Sequence, residues 1–277
     1  MSKPSVAPAA FLPATELAGP LAEHPPAGRM RGRVCMVVGA TRGIGRATAL
    51  RMAEEGAGAV VISGRNQQLG NALAAELNEL GAESLFVPAD VTNEADLADL
   101  VERTVERFGR LDAVCNNAGV QEKRALLAEQ TPANYDLVFD TNVRFLFDAM
   151  RYELPAMLAS GGGAMVNITS VSGYRHPYPG LSLYNASKAA AITLTQSAAM
   201  EYAELGIRIN SVAPGRVVTD MMLATGVDDM HRVAAGLPLR RMGHPEEVAM
   251  AVVWLLSDEA GYIVGHVLCA DGGFMAG

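Results

Sequence analysis

From Arg33 onward the chain alternates short, wholly apolar runs with longer stretches in which apolar residues recur every three or four positions. The first kind reads as strands buried on both faces and the second as amphipathic helices, so the alternation predicts crossover units around a parallel sheet. Val34 to Val38, Ala59 to Ser63, Ser84 to Ala89, Leu111 to Cys115 and Met165 to Ile168 are strands. Arg46 to Glu55, Glu94 to Phe108, Tyr135 to Met150 and Glu246 to Leu256 are helices, the first stopped at Gly56. After Leu183 an Ala-rich run that breaks only after Gly206 predicts one more helix.

Residues 1 to about 28 depart from this pattern, because six prolines (Pro4, Pro8, Pro13, Pro20, Pro25 and Pro26) interrupt a run of Ala, Glu and Leu. This predicts a flexible N-terminal extension with no fold of its own, able at most to pack on a neighbouring subunit. The prolines also break any continuous apolar segment, and only Lys3 supplies early charge, which disfavours a secretory signal. Half of the 277 residues are apolar, enough for a sizeable core. A net charge of -8, with acids and bases interspersed, gives no electrostatic footprint for nucleic acid or an anionic membrane, and no apolar run approaches a bilayer span. Cys35, Cys115 and Cys269 lie far apart in apolar runs and read as small core residues, which suits a reducing, cytoplasmic location. The five histidines show no ligand spacing, so no metal site is expected.

Candidate chemistry sits at the strand ends. Gly39-Ala40-Thr41-Arg42-Gly43-Ile44-Gly45 joins the first strand to a helix, the context in which backbone amides at a helix N-terminus meet a pyrophosphate. The second strand ends Ser63-Gly64-Arg65, with Gly64 where an acid would accept from a ribose 2′-hydroxyl and Arg65 twenty residues after Gly45. Together with Arg42 this favours a 2′-phosphate, since guanidinium groups match phosphate geometry. Asp90-Val91 and Asn116-Asn117-Ala118-Gly119 close the next strands, at the edge where open α/β sheets bind ligands. Tyr184 and Lys188, four apart on a helix, share a face, and an ammonium beside a phenol stabilises the phenolate. Ser170 ends the preceding strand, placed to polarise a carbonyl oxygen that Tyr184 protonates.

In combination these residues resemble the short-chain dehydrogenase/reductase family, from about Arg31 to Gly273, with Pro214-Gly215, Thr219 and Asp271-Gly272-Gly273 completing the match. The resemblance implies a single Rossmann-type domain over residues 29–277 with a seven-stranded parallel sheet, a nicotinamide cofactor, and interconversion of an alcohol and a carbonyl. By that resemblance Gly39, Thr41, Arg42, Gly43 and Ile44 would hold the cofactor phosphates and ribose, and Asp90 and Val91 would border the adenine. Asn117, Ala118 and Gly119 would line the adjoining ribose, while Pro214, Gly215, Val217 and Thr219 would grip the carboxamide. Tyr184 resembles the acid/base, Lys188 its partner and a ligand of the nicotinamide ribose, Ser170 the substrate-orienting hydroxyl, and Asn142 the residue that relays protons from Lys188 to water. The family usually pairs subunits through the helices bearing Asn142 and Tyr184 and through the C-terminal strand, which implies a homotetramer, or failing that a dimer.

Two departures stand out. Val38 replaces the usual Thr before the first loop glycine, which removes a tether to the Asn116 to Gly119 segment, and Ser170 precedes Tyr184 by fourteen positions, one more than usual, making Ser172 a rival to Ser170. Gln121, Ser172, Tyr174, Tyr178, Arg216 and the stretch Met221 to Gly236 are expected around the substrate; the Met-rich start of that stretch fits either a pliable lid or ordinary core. The leading expectation is an NADPH-dependent reductase of a small or medium ketone. Oxidation of a cyclic diol, sugar or hydroxysteroid is the alternative, and a non-catalytic dinucleotide sensor a more distant one. A carrier-bound acyl substrate is disfavoured because neither Ala159-Ser160-Gly161-Gly162-Gly163 nor Glu204-Leu205-Gly206 offers a cation to an acidic carrier, although Arg144, Arg151 and Arg175 would form a basic patch if brought together.

Overall fold

The computed structural model describes residues 14–19, 25–176, 179–224 and 229–277. Its strands are β1 (Val34–Val38), β2 (Ala59–Gly64), β3 (Glu83–Pro88), β4 (Ala113–Asn116), β5 (Gly163–Ile168), β6 (Ile207–Pro214) and β7 (Val267–Ala270). They form one parallel sheet in the order β3-β2-β1-β4-β5-β6-β7. The helices are α1 (Ala14–Ala18), α2 (Gly43–Glu54), α3 (Gln67–Glu79), α4 (Glu94–Phe108), α5 (Pro132–Phe139), α6 (Phe145–Ala159), α7 (Ser182–Tyr202), α8 (Asp220–Leu223), α9 (Met230–Ala235) and α10 (Pro245–Leu256). The chain winds outward from β1 to β3 and then returns to lay β4 beside β1, which opens a crevice at the carboxyl ends of those two strands.

Alternation along β1 shows how the sheet is buried on both faces. Cys35 and Val37 enter one core with α2, α3 and α10, whereas Met36 and Val38 enter the other with α4, α6 and α7. Helix α2 starts at Gly43, earlier than the apolar pattern placed it, because the glycine turn itself supplies the first helical residues. The stretch expected as one helix over Tyr135 to Met150 is instead α5, a π-helical turn at Asp140–Arg144, and α6. That turn carries Asn142, and an inserted π turn in a helix commonly marks a functional position.

The N-terminal extension requires a correction where it is described. Leu17 and Ala18 of α1 are buried, against Val218, Met222, Met230, Ala234, Leu237 and Met242. The Leu17 carbonyl accepts from the Met242 amide at 3.1 Å, and the Gly19 carbonyl lies 2.8 Å from His244 Nε2. Farther along, the Ala27 and Arg29 amides donate to the Glu55 carboxylate. Prolines on either side do not prevent a short apolar turn from docking where α8 and α9 leave an apolar face. The same cluster resolves the two readings of the Met-rich stretch: Met222 and Met230 are core, while Met221 is 40% exposed. No helix among the described residues is long and apolar enough to cross a membrane.

Candidate active site

The crevice is a cavity of about 640 Å³ running from the glycine turn after β1 to the ends of β5 and β6. At one end lie Gly39, Thr41, Arg42, Gly43 and Ile44, then Gly64 and Arg65, Asp90 and Val91, and Asn117, Ala118 and Gly119. Arg42 is the N-cap of α2 and makes no side-chain cap, so the first amides of that helix remain open to an anion. A Cβ on Gly64 would come within 2.7 Å of the Thr41 methyl, so a carboxylate side chain at this position would force the turn to move. Asp90 accepts from the Thr92 amide and hydroxyl, which hold its carboxyl below the usual range, with help from the nearby Arg65 charge. These residues fit a dinucleotide: orphan amides for its phosphates, cations beside them, and small residues along the wall.

Val38 does not leave the glycine turn untethered. Its carbonyl accepts from the amides of Asn117 and Ala118, at 3.0 and 3.1 Å, and Asn117 Nδ2 donates to the Gly39 carbonyl at 2.7 Å. The missing threonine hydroxyl is replaced by backbone and amide bonds.

At the other end, Ser170, Tyr184 and Lys188 face the cavity. Ser170 is held by the Ser172 amide, which donates to its hydroxyl at 3.1 Å, so Ser172 orients Ser170 as well as lining the wall. The turn after Ser170 lies directly on α7; a Cβ on Gly173 would come within 2.6 Å of the Ile192 Cδ1. Burial pushes the Tyr184 phenol up, opposed by hydrogen bonds from the Ser170 and Gln121 side chains and by the Arg216 charge, and reinforced by Glu122. Burial alone pushes the Lys188 amine down, to about 8. Lys188 Nζ donates to the Ile168 carbonyl at 3.1 Å and lies 5.8 Å from the Tyr184 ring centroid. Asn142 exchanges hydrogen bonds with the Val120 backbone and donates to Ser187 Oγ, each at 2.9 Å. A Cβ on Gly119 would sit 3.3 Å from both Asn142 Oδ1 and Lys188 Nζ, so the two side chains crowd the same backbone.

The cavity wall continues through Gln121, Pro214, Gly215, Arg216, Val217, Thr219 and Met221. Tyr174 is a correction: it stands 47% exposed beside Cys269 and does not line the cavity, because the tight turn at Val171–Gly173 carries the chain away from it. Tyr178 lies outside the described residues. Sequence reasoning missed Glu122, whose buried carboxylate accepts from the amides of Leu183 and Tyr184 at 3.0 to 3.2 Å and so caps the helix that carries the phenol. It also missed Glu153, buried beneath the sheet and bonded by Asn116 Nδ2 at 2.8 Å.

The profile of a family described as Enoyl-(Acyl carrier protein) reductase matches residues 39–275. An A-factor type gamma-butyrolactone 1'-reductase (1S-forming) of Streptomyces virginiae is 39% identical over 250 residues, 89% of this chain and 97% of its own length. A 3-oxoacyl-(acyl-carrier-protein) reductase of Staphylococcus epidermidis is 37% identical over 238 residues, 86% of this chain and 97% of its own. The chain belongs to the short-chain dehydrogenase/reductase family. The crystal structure of levodione reductase superposes on this member of the family with a TM-score of 0.85 and 36% identity, covering 90% of this chain and 99% of that one. Short-chain dehydrogenases/reductases use a nicotinamide dinucleotide, and this chain is an oxidoreductase acting on alcohol and carbonyl groups.

Proposed function

We propose that the protein is an NADPH-dependent reductase of a free small or medium ketone. The observation that carries the reading is one continuous cavity with Ser170, Tyr184 and Lys188 at one end and Arg42 and Arg65 beside the glycine turn at the other. When bound, the nicotinamide supplies the hydride that reaches the carbonyl carbon. The Tyr184 phenol holds the proton that the carbonyl oxygen takes, and the burial that raises its pKa keeps it protonated for reduction. Ser170 donates to the same oxygen and polarises it. The Lys188 ammonium stabilises the phenolate left behind, and Asn142, against Gly119 beside Lys188, leads protons back from water. Pro214, Gly215, Val217 and Thr219 position the carboxamide.

The preference for NADPH rests on Arg42, Arg65 and the closed space at Gly64. Preference for a free ketone rests on two features. The gamma-butyrolactone and levodione relatives are reductases. Arg144 and Arg151 are already paired with Asp148 and Glu94, and Arg175 packs on Phe274 and bonds its carbonyl, so they do not present a shared basic face to a carrier. Exposed Tyr135 and Phe147 on α5 and α6, and Tyr262 and Val264 before β7, support a homotetramer built on those faces. A panel of ketones and alcohols with each cofactor, read at the NADPH absorbance, tests the proposal. Ketone reduction should favour NADPH over NADH at least tenfold in kcat/KM, about 1.4 kcal/mol. Arg65→Asp should invert that preference, because a carboxylate repels the 2′-phosphate and accepts from a ribose hydroxyl; equal efficiency with both cofactors in the parent refutes it.

A further inference from the structure

Two side chains hydrogen-bond the Tyr184 phenol: Ser170, just past the end of β5, and Gln121, in the segment after β4. Lys188 is turned elsewhere, since its Nζ donates to the Ile168 carbonyl and stands 5.8 Å from the centroid of the phenol ring. Ser170 has a partner in the reaction, the carbonyl oxygen, and its hydroxyl is oriented by the Ser172 amide. Gln121 has no part in the chemistry described so far, yet its side chain bonds the reacting group.

The backbone fixes where Gln121 stands. On one side, Val120 exchanges two hydrogen bonds with the Asn142 side chain, both 2.9 Å. On the other, the buried Glu122 carboxylate accepts from the amides of Leu183 and Tyr184 at 3.0 to 3.2 Å. Its two neighbours thus tie Gln121 to the π-helical turn and to the first turn of α7, the helix that carries the phenol. Held between them, Gln121 is half-buried and lines the cavity, together with the apolar Val120, Leu137, Met221 and Met222. An N–H fixed in advance at the oxygen where negative charge appears stabilises that charge without reorganisation during the step, and apolar surroundings strengthen the effect.

We propose that Gln121 is a catalytic residue whose side-chain amide donates to the Tyr184 oxygen and stabilises the phenolate formed when the proton passes to the carbonyl oxygen. This rests on reading the site as a carbonyl reductase and adds a residue to its machinery. Gln121 gives up no proton. The Tyr184 O–H bond breaks, a new O–H bond forms on the carbonyl oxygen as the carbonyl carbon takes its hydride, and the charge left on the Tyr184 oxygen meets the Gln121 N–H.

The charged groups that face the phenol are Glu122 beside Gln121, Arg216 at the end of β6 and Lys188 on α7 itself, and every variant in the test keeps all three. Gln121→Met preserves the length of the side chain and removes the N–H. Turnover of the best ketone should fall about tenfold, the effect of losing one hydrogen bond to a charged group, with KM within about threefold of the parent. The Gln121 bond holds the phenol's pKa down against burial, so the alkaline limb of ketone reduction should move to higher pH, by about one unit. Gln121→Glu, of the same size, puts an anion beside the phenol and should move the limb further in the same direction. Absorbance titration of tyrosinate in the NADP+-loaded protein, each form measured against its own Tyr184→Phe version, should show the same displacement without turnover. Turnover within twofold of the parent in Gln121→Met, or a raised KM with the limb and the titration both in place, would overturn the inference. If no ketone consumes NADPH, the reductase reading fails instead, and the tyrosinate titration still decides whether Gln121 stabilises the phenolate.

Discussion

Glu122 makes a claim about the catalytic helix that can be measured in two independent ways. Its carboxylate, 4% exposed, accepts from the amides of Leu183 and Tyr184 in the first turn of α7, where the N-cap residue Leu181 supplies no side-chain bond. Glu122→Ala would strip two buried N–H groups of their acceptor, at roughly 1 to 3 kcal/mol each, and remove an anion from the positive end of the helix dipole. Part of that loss is recovered by water entering the gap, so we expect about 2 to 4 kcal/mol, or roughly 5 to 12 °C in Tm for a domain of this size. Glu122→Gln keeps an acceptor oxygen and should lose less than half as much. The second measurement is the pH profile of ketone reduction, which needs Tyr184 protonated and so falls as pH rises through its pKa. The Glu122 charge holds that pKa up; Glu122→Gln should therefore move the alkaline limb to lower pH. A capping role without influence on the phenol would change Tm and leave the limb in place, and an unchanged Tm in Glu122→Ala would refute the capping argument itself.

Two further predictions concern groups outside the reaction. Deleting residues 1–24 removes α1 from under α8 and α9, so KM for the ketone should rise at least threefold while Tm moves only a few degrees, because α8, whose Met221 and Met222 line the cavity, loosens locally before the sheet unfolds; unchanged KM would show the docking to be idle. Burial pushes the Glu153 carboxyl from 4.5 to about 7, so the folded state holds a proton that the unfolded chain releases. The stability this contributes is full below pH 4.5 and is lost as pH rises to 7, about 3 kcal/mol in all. Glu153→Gln, neutral at every pH and able to donate to the unpartnered Asn116 Oδ1, should flatten that dependence and raise Tm at pH 8; identical pH curves for the two proteins would refute it.

What was legible in the sequence follows from how local each signal is. Val34 to Val38 and the glycine turn are contiguous, and Tyr184 and Lys188 are separated by one helical turn, so apolar period and spacing suffice to find them. Glu122 gives no such sign: the amides it caps lie 61 and 62 residues away, brought to it only when β4 and α7 are both in place. The π-helical turn at Asn142 keeps the apolar pattern of an ordinary helix, and so passed for one. Leu17 looked like part of a proline-broken tail because the face that buries it is assembled from Val218, Met230 and Met242, far along the chain. Val38 read as a lost tether since side chains were the only ties the pattern reveals, whereas the backbone carbonyl and Asn117 serve. Tyr174 failed for the opposite reason, as adjacency to Ser170 does not determine which way a tight turn leaves the strand.

The central claim is that Tyr184 delivers the proton in a carbonyl reduction supported by Ser170 and Lys188. The most direct measurement is Tyr184→Phe, with NADPH affinity by fluorescence titration and turnover of the best ketone determined on the same preparation. The phenol hydroxyl contributes nothing to the phosphate end of the cavity, so NADPH affinity should stay within threefold of the parent. Turnover should fall by about 10² to 10⁴, the usual contribution of a positioned acid/base group. Turnover within threefold of the parent, with NADPH still bound, would contradict the account.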